Sequence, residues 1–135
     1  MDVDLRRLLS QAEDGYLIPC RRDDGTTDLM AQASNGDTLL HVAVGLRDVH
    51  AIHYLLKAGL DINAKGDYHA TPLYNASASG DIGIVALLLK LGADPNIPDH
   101  RGSFPHDILF SHLKHLPDHF LHKLSTWIRD NSPKY

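Results

Sequence analysis

The sequence is poor in the features that mark secreted, membrane-spanning or nucleic-acid-binding chains. A single cysteine, Cys20, cannot build an internal disulfide framework. That points to a reducing, cytoplasmic compartment. No apolar run is long enough for a membrane span. The opening MDVDLRRLLSQAEDG has its leucines interrupted by arginines and glutamine, unlike a secretory signal. Lys and Arg number 13 against 17 Asp and Glu, a formal net charge of −4. Nucleic acid needs a concentrated basic face, and Arg6-Arg7 and Arg21-Arg22 are only short pairs that read as solvated surface. No phosphate-cradling glycine loop, no Gly-x-Ser-x-Gly and no paired-carboxylate motif is present. The expectation is a protein without enzymatic activity and without a cofactor.

What remains is an ordinary soluble composition, 43% hydrophobic and 22% charged over 135 residues, enough for one domain with one core. Its main feature is internal. DTLLHVAVGLRDVHAIHYLLKAGLDIN, from Asp37 to Asn63, returns 33 positions later as ATPLYNASASGDIGIVALLLKLGADPN, from Ala70 to Asn96. Thr38 matches Thr71, Leu40 matches Leu73, Ala43 matches Ala76, and Leu55-Leu56 matches Leu88-Leu89. Gly59, Asp61 and Asn63 match Gly92, Asp94 and Asn96. A period of that length signals stacked supersecondary units, which usually present a surface to a partner.

Within the second unit, Thr71 suits a helix N-cap and Pro72 the first helical position. The spacing predicts a short helix over Pro72–Ser79, a left-handed stop at Gly80, and a second, largely apolar helix over Ile82–Leu91 closed by Gly92. Asp94 and Asn96 open the following loop. Leu55, Leu56, Leu88 and Leu89 are expected to be buried together.

These residues resemble the ankyrin repeat pattern GxTPLHxAAxxGxxxxVxxLLxxGAxxN from Ser34 to Asp99. The resemblance implies an all-α solenoid of stacked helix-turn-helix units joined by β-hairpin-like turns. It divides the chain into an N-terminal cap and loop (1–33), two repeats (34–66 and 67–99), and a degenerate repeat with a C-terminal cap (100–135). Leu39, Tyr74 and Arg47 depart from the family's proline, histidine and glycine, and each is expected to loosen its own turn. In the third unit Phe104 stands where threonine belongs, and the helix beginning at Pro117 shows an apolar face of Phe120, Leu121, Leu124, Trp127 and Ile128. At the other end Val3, Leu5, Leu8, Leu9 and Ala12 have helical spacing. The Tyr16–Thr27 stretch is either a binding loop or a tolerated insertion.

Histidines gather late: His100, His106, His112, His115, His119 and His122. Two pairs at spacing three would hold zinc on one continuous helix, but Pro117 is expected to separate them, and cap-surface histidine is the plainer reading. His41 sits where the family's histidine bonds neighbouring backbone. Cys20 beside Arg21 and Arg22 lacks an identifiable base and reads as a plain loop cysteine.

In the family, partners bind the turn tips and the exposed side of each first helix. Carried over residue by residue, that surface is Ser34, Asn35, Asp37, Lys65, Asp67, Tyr68, Ala70, His100, Arg101 and Ser103 at the tips, with Ala78 and Ser79 on a first helix. Tyr68 is either the anchor of that surface or packed against its own hairpin. Asp37, Asp67 and Asp99 at successive tips, with Asp61 and Asp94 nearby, imply a partner protein carrying a basic patch, unless they bond their own turns. The expected protein is a monomer when free that binds another protein, with no nucleic acid and no membrane. Its GDYHATPL and GADPNI phrases look like bacterial ankyrin proteins, some of which are immunity proteins neutralising a toxin. A eukaryotic or viral scaffold and a histidine-based metal protein are the alternatives.

Overall fold

The computed structural model describes residues 5–131; Val3, named above, lies outside them. Among the described residues seven α-helices follow in order: α1 Arg6–Gly15, α2 Leu39–Gly45, α3 Val49–Lys57, α4 Pro72–Ala78, α5 Ile82–Lys90, α6 Pro105–Leu113 and α7 Asp118–Asn131. Extended pairing among the described residues is limited to two isolated bridges, Arg21 with Thr27 and Gln32 with Thr38. The architecture is therefore all-helical. Helices α2 and α3 pair, as do α4 and α5, while α2, α4 and α6 form one continuous row. Helix α1 packs on α2 at one end, and α7 packs on α5 at the other.

Side-chain caps start the repeat helices. The Thr38 hydroxyl accepts from the Leu40 and His41 amides, and the Thr71 hydroxyl accepts from the Tyr74 amide at 3.1 Å. Asp48 and Asp81 cap α3 and α5 by accepting from the Ala51 and Ile84 amides. Phe104 offers no hydroxyl to α6. Its own amide instead donates to the Asp107 carboxylate at 3.1 Å, half of a capping box without the other half.

The turn at Arg47 corrects the expectation that it would be loosened. Arg47 adopts the same left-handed conformation as Gly80, with φ of 56° against 70°. Both turns close by the same long hydrogen bond, from Asp48 to the Ala43 carbonyl and from Asp81 to the Ala76 carbonyl. The Arg47 side chain reaches Asp81 Oδ2 at 2.6 Å, so the residue that strains one turn also ties it to the cap of the next helix pair.

The core runs unbroken from α1 to α7. Leu55 and Leu88 are fully buried and Leu89 nearly so, while Leu56 is only half-buried and lies at the core's edge. Ile18, Cys20, Ala31 and Ala33 are buried in the same cluster, so the segment after α1 is packed against the stack. Part of it keeps the repeat register. Asp28, Asp61 and Asp94 stand 33 apart, and each accepts from the amide two residues on, at Met30, Asn63 and Asn96. The register therefore extends before residue 34, and α1, α2, α4 and α6 likewise start 33 apart, at Arg6, Leu39, Pro72 and Pro105.

Candidate functional site

The tips are stitched to one another by groups that belong to different repeats. Asp37 Oδ1 accepts from the Asp67 amide at 2.9 Å. The His41 ring bridges two segments: Nδ1 accepts from the Thr38 amide at 3.0 Å, and Nε2 donates to the Ala70 carbonyl at 2.9 Å. That pair of contacts selects the neutral ring with its proton on Nε2, and burial lowers the pKa of His41 in spite of the hydrogen bond to Ala70. Asn63 Oδ1 accepts from the Asp94 amide at 2.9 Å, and the Tyr68 carbonyl accepts from the His100 amide at 2.9 Å. The Tyr74 hydroxyl, in the place of the family's histidine, donates to Asp99 Oδ2 at 2.8 Å. The expected loosening at Tyr74 is therefore replaced by a cross-link to the next tip. Burial and this bond push the Tyr74 pKa up to about 12. Burial alone would raise the Asp99 carboxyl. The hydrogen bonds it accepts from the Ser103 amide, the Tyr74 hydroxyl and the Arg101 amide outweigh that and lower it.

A shallow groove of about 420 Å³ opens along these tips. Of the expected surface residues it gathers Asp37, Asp67, Tyr68, Ala70, His100 and Arg101. Ser34, Asn35, Lys65 and Ser79 are exposed outside it, and Ala78 and Ser103 are half-buried. Two expectations need correction. Asp37 is only 7% exposed, with Gly66 and the Asp67 amide of the next repeat against its carboxylate, and Ala70 is only 5% exposed. Asp37 therefore forms floor, not rim. Tyr74, Asn75 and Asp99 also line the groove. The first two were hidden from the sequence by lying on a helix face, and their signal was the register alone.

Tyr68 is 65% exposed and leans on His100, with ring centroids 5.1 Å apart and planes tilted by 32°. Its backbone is left-handed, as is that of His69, with φ of 57° and 61°. Glycine holds the position equivalent to His69 in both neighbouring tips, at Gly36 (φ 98°) and Gly102 (φ 83°). The middle tip alone among the three asks two residues with side chains to adopt a conformation that glycine takes freely.

The other candidates separate. Asp61, Asp94 and Asp99 each bond amides of their own turns. His112 lies in α6, His115 in the turn after it, and His119 and His122 in α7. No group of three or more His, Cys, Asp or Glu side chains converges among the described residues. Cys20 lies in the loop after α1, as expected, and is buried there. Burial and the nearby Glu13 carboxylate push its pKa up, while Arg21 pairs with Glu13 at 2.6 Å. A second cavity of about 400 Å³ lies between α4, α5, α6 and α7, floored by Leu73, Val85, Leu89 and Leu109.

A family model described as ankyrin repeats (3 copies) matches residues 7–99. The chain belongs to the ankyrin-repeat family. Ankyrin repeats are protein-interaction modules, generally without catalytic activity of their own. Among curated proteins, the chain is 47% identical over 74 residues to a palmitoyltransferase of Kluyveromyces lactis, covering 53% of this chain and 10% of that protein. It is 34% identical over 99 residues to ankyrin repeat and SOCS box protein 16 of Mus musculus, covering 67% of this chain and 22% of the other. It is 41% identical over 81 residues to NF-kappa-B inhibitor delta of Mus musculus, covering 58% and 25%. The chain thus spans a quarter or less of the length of these relatives. No helix among the described residues is long and apolar enough to cross a membrane.

Proposed function

We propose that this ankyrin protein is a stoichiometric, non-enzymatic binder that holds a partner protein against the tip groove. Its most concrete form is an inhibitor, such as a bacterial immunity protein neutralising a toxin. The observation that carries the reading is Tyr68: a large ring, 65% exposed, on a left-handed backbone in a groove that Asp67 and Asp99 also line. An exposed tyrosine with few rotatable bonds gives contact area at low entropic cost. Among the relatives, one is by its name an inhibitor of NF-kappa-B. The partner of this chain presents a basic patch, with Asp67 supplying the steering charge that Asp37, as floor, supplies less. The free protein is a cytoplasmic monomer.

The test is site-specific crosslinking in the native host. A photoreactive phenylalanine replaces Tyr68 in one sample and His115, on the cap, in another. A single protein crosslinked in one-to-one ratio from position 68 and not from position 115 supports the groove. Crosslinking from 115 alone, or none from 68 while a partner co-purifies, refutes it.

A further inference from the structure

The lining of the groove fits one kind of side chain. Asp37 is more than nine-tenths buried, and only one of its two carboxylate oxygens is used. Oδ1 accepts from the Asp67 amide, while Oδ2 has no hydrogen-bond partner among the described residues. That second oxygen is not among the buried unpaired atoms, so it keeps contact with solvent and a donor entering the groove can reach it. At the rim, the exposed Asp67 carboxylate likewise has no hydrogen-bond or ion-pair partner among the described residues. In the same groove the ring of Tyr68 leans on His100 and is exposed over most of its area. Arg101 is exposed at the same groove, one guanidinium against the carboxylates of Asp37, Asp67 and Asp99.

We infer that the groove is a socket for an arginine side chain of the partner, whose guanidinium pairs with Asp37 and Asp67 and lies on the Tyr68 ring. A planar fork with five donors satisfies two carboxylates and stacks on an aromatic face at the same time, which an ammonium does not. The strained middle tip is consistent with this use. Two successive left-handed residues persist at a tip whose neighbours use a single glycine, and one of the two carries the exposed ring that lines the groove. The inference rests on the groove being the partner-binding face.

The probe is a blocked tripeptide with arginine between two glycines, titrated into the full-length, nitrogen-15-labelled protein at low salt. Its citrulline analogue, isosteric and uncharged, and its lysine analogue are run beside it. Saturable shifts are expected at the amides of Asp67, Tyr68, Ala70 and His100, with about tenfold weaker binding for citrulline and a clear loss for lysine. Tyr68→Ala should weaken the arginine probe by about two- to fivefold. Asp37→Asn, which keeps an oxygen for the Asp67 amide, should weaken it by about tenfold. If Asp37→Asn does not fold, Asp67→Asn at the exposed rim carries the same test. Equal shifts from citrulline, shifts centred elsewhere, or Tyr68→Ala and Asp67→Asn both binding as tightly as the native protein would overturn the socket. Crosslinking from position 115 alone sinks the partner-face reading without touching the titration, so the two failures stay distinct.

Discussion

Replacing Gly66 by alanine tests the stitched tips directly. Gly66 has a negative φ of −99°, so the sign of its backbone angle does not demand glycine. Space does: an added Cβ would collide with Asp37 Oδ1 and stand 2.8 Å from His41 Nε2. Those two atoms make the hydrogen bonds that tie tip one to tip two, at 2.9 Å to the Asp67 amide and 2.9 Å to the Ala70 carbonyl. Forcing both apart leaves buried polar groups short of partners, at about 1–3 kcal/mol each. Restricting the unfolded chain returns about 0.4–1 kcal/mol. The net expectation is a loss of about 2–4 kcal/mol, measured by urea unfolding followed by circular dichroism. Gly92→Ala is the control. Its φ is 101°, but nothing lies near the added atom, so only the backbone cost of about 1–2 kcal/mol applies. A rule based on φ alone ranks Gly92 as the worse site; the contacts rank Gly66 as worse. In an Asp37→Ala background the obstruction is partly gone, and Gly66→Ala should cost less there than in the native chain. A Gly66→Ala loss smaller than that of Gly92→Ala, or undiminished in the Asp37→Ala background, would refute the reasoning.

Leu88→Ala removes a fully buried side chain of α5 and should cost about 2–5 kcal/mol in the same assay, with a single unfolding transition; a loss under about 0.5 kcal/mol would mean the stacking register is wrong. His69→Gly relieves a left-handed non-glycine residue and should raise stability by about 0.5–1 kcal/mol after the entropic cost of glycine; an unchanged or lower melting temperature would show the tip is not strained. His41 has a folded pKa below its unfolded value, so its stabilisation is complete above about pH 6.5 and declines as pH falls from there toward the folded pKa. The stability gap between the native protein and His41→Gln should narrow on acidification through that window, and a constant gap would refute it. Tyr74 has the opposite sense: its folded pKa is raised to about 12, so its contribution holds below the unfolded value near 10 and is lost as pH rises between the two, a dependence that Tyr74→Phe should abolish in alkaline melts.

The repeat was legible because stacking imposes one period on every level at once. Thr38 and Thr71, the leucine pairs, and Gly59 with Gly92 all answer to the same 33-residue spacing. Where one signal fails, the others still fix the register, which is why Leu39 in place of proline did not obscure α2. The N-terminal register was missed for the converse reason. Asp28 makes the same turn as Asp61 and Asp94, but Met30 stands where they have Asn63 and Asn96. The residues between α1 and Asp28 form an inserted hairpin around the Arg21–Thr27 bridge instead of repeating the α3 pattern. One matching aspartate without its asparagine or its helix carries too little signal to read. Arg47 shows the limit of composition: a side chain in a glycine position suggested a looser turn, and only the 2.6 Å contact to Asp81 explains what holds it.

The site was legible at its rim and not at its floor. Asp67, read as part of the surface, is exposed, and Tyr68, which the sequence left between an exposed anchor and a ring packed on its own hairpin, is exposed too. Asp37 read the same way and is buried, because what covers it comes from the next repeat, and a local sequence window contains no trace of that cover. The same geometry decides which residues can report on binding alone. Asp37, His41, Asn63 and Tyr74 each bond a group in the following tip or loop, so altering any of them perturbs the stack and the groove together. The Tyr68 side chain and the Asp67 carboxylate face solvent, while the bonds that position them run through backbone: Asp67 donates from its amide, and the Tyr68 carbonyl accepts from His100. Truncating those two side chains leaves every one of these backbone bonds in place. They are the positions at which a change in partner affinity can be assigned to contact rather than to folding, and a groove that binds through anything else should be indifferent to both.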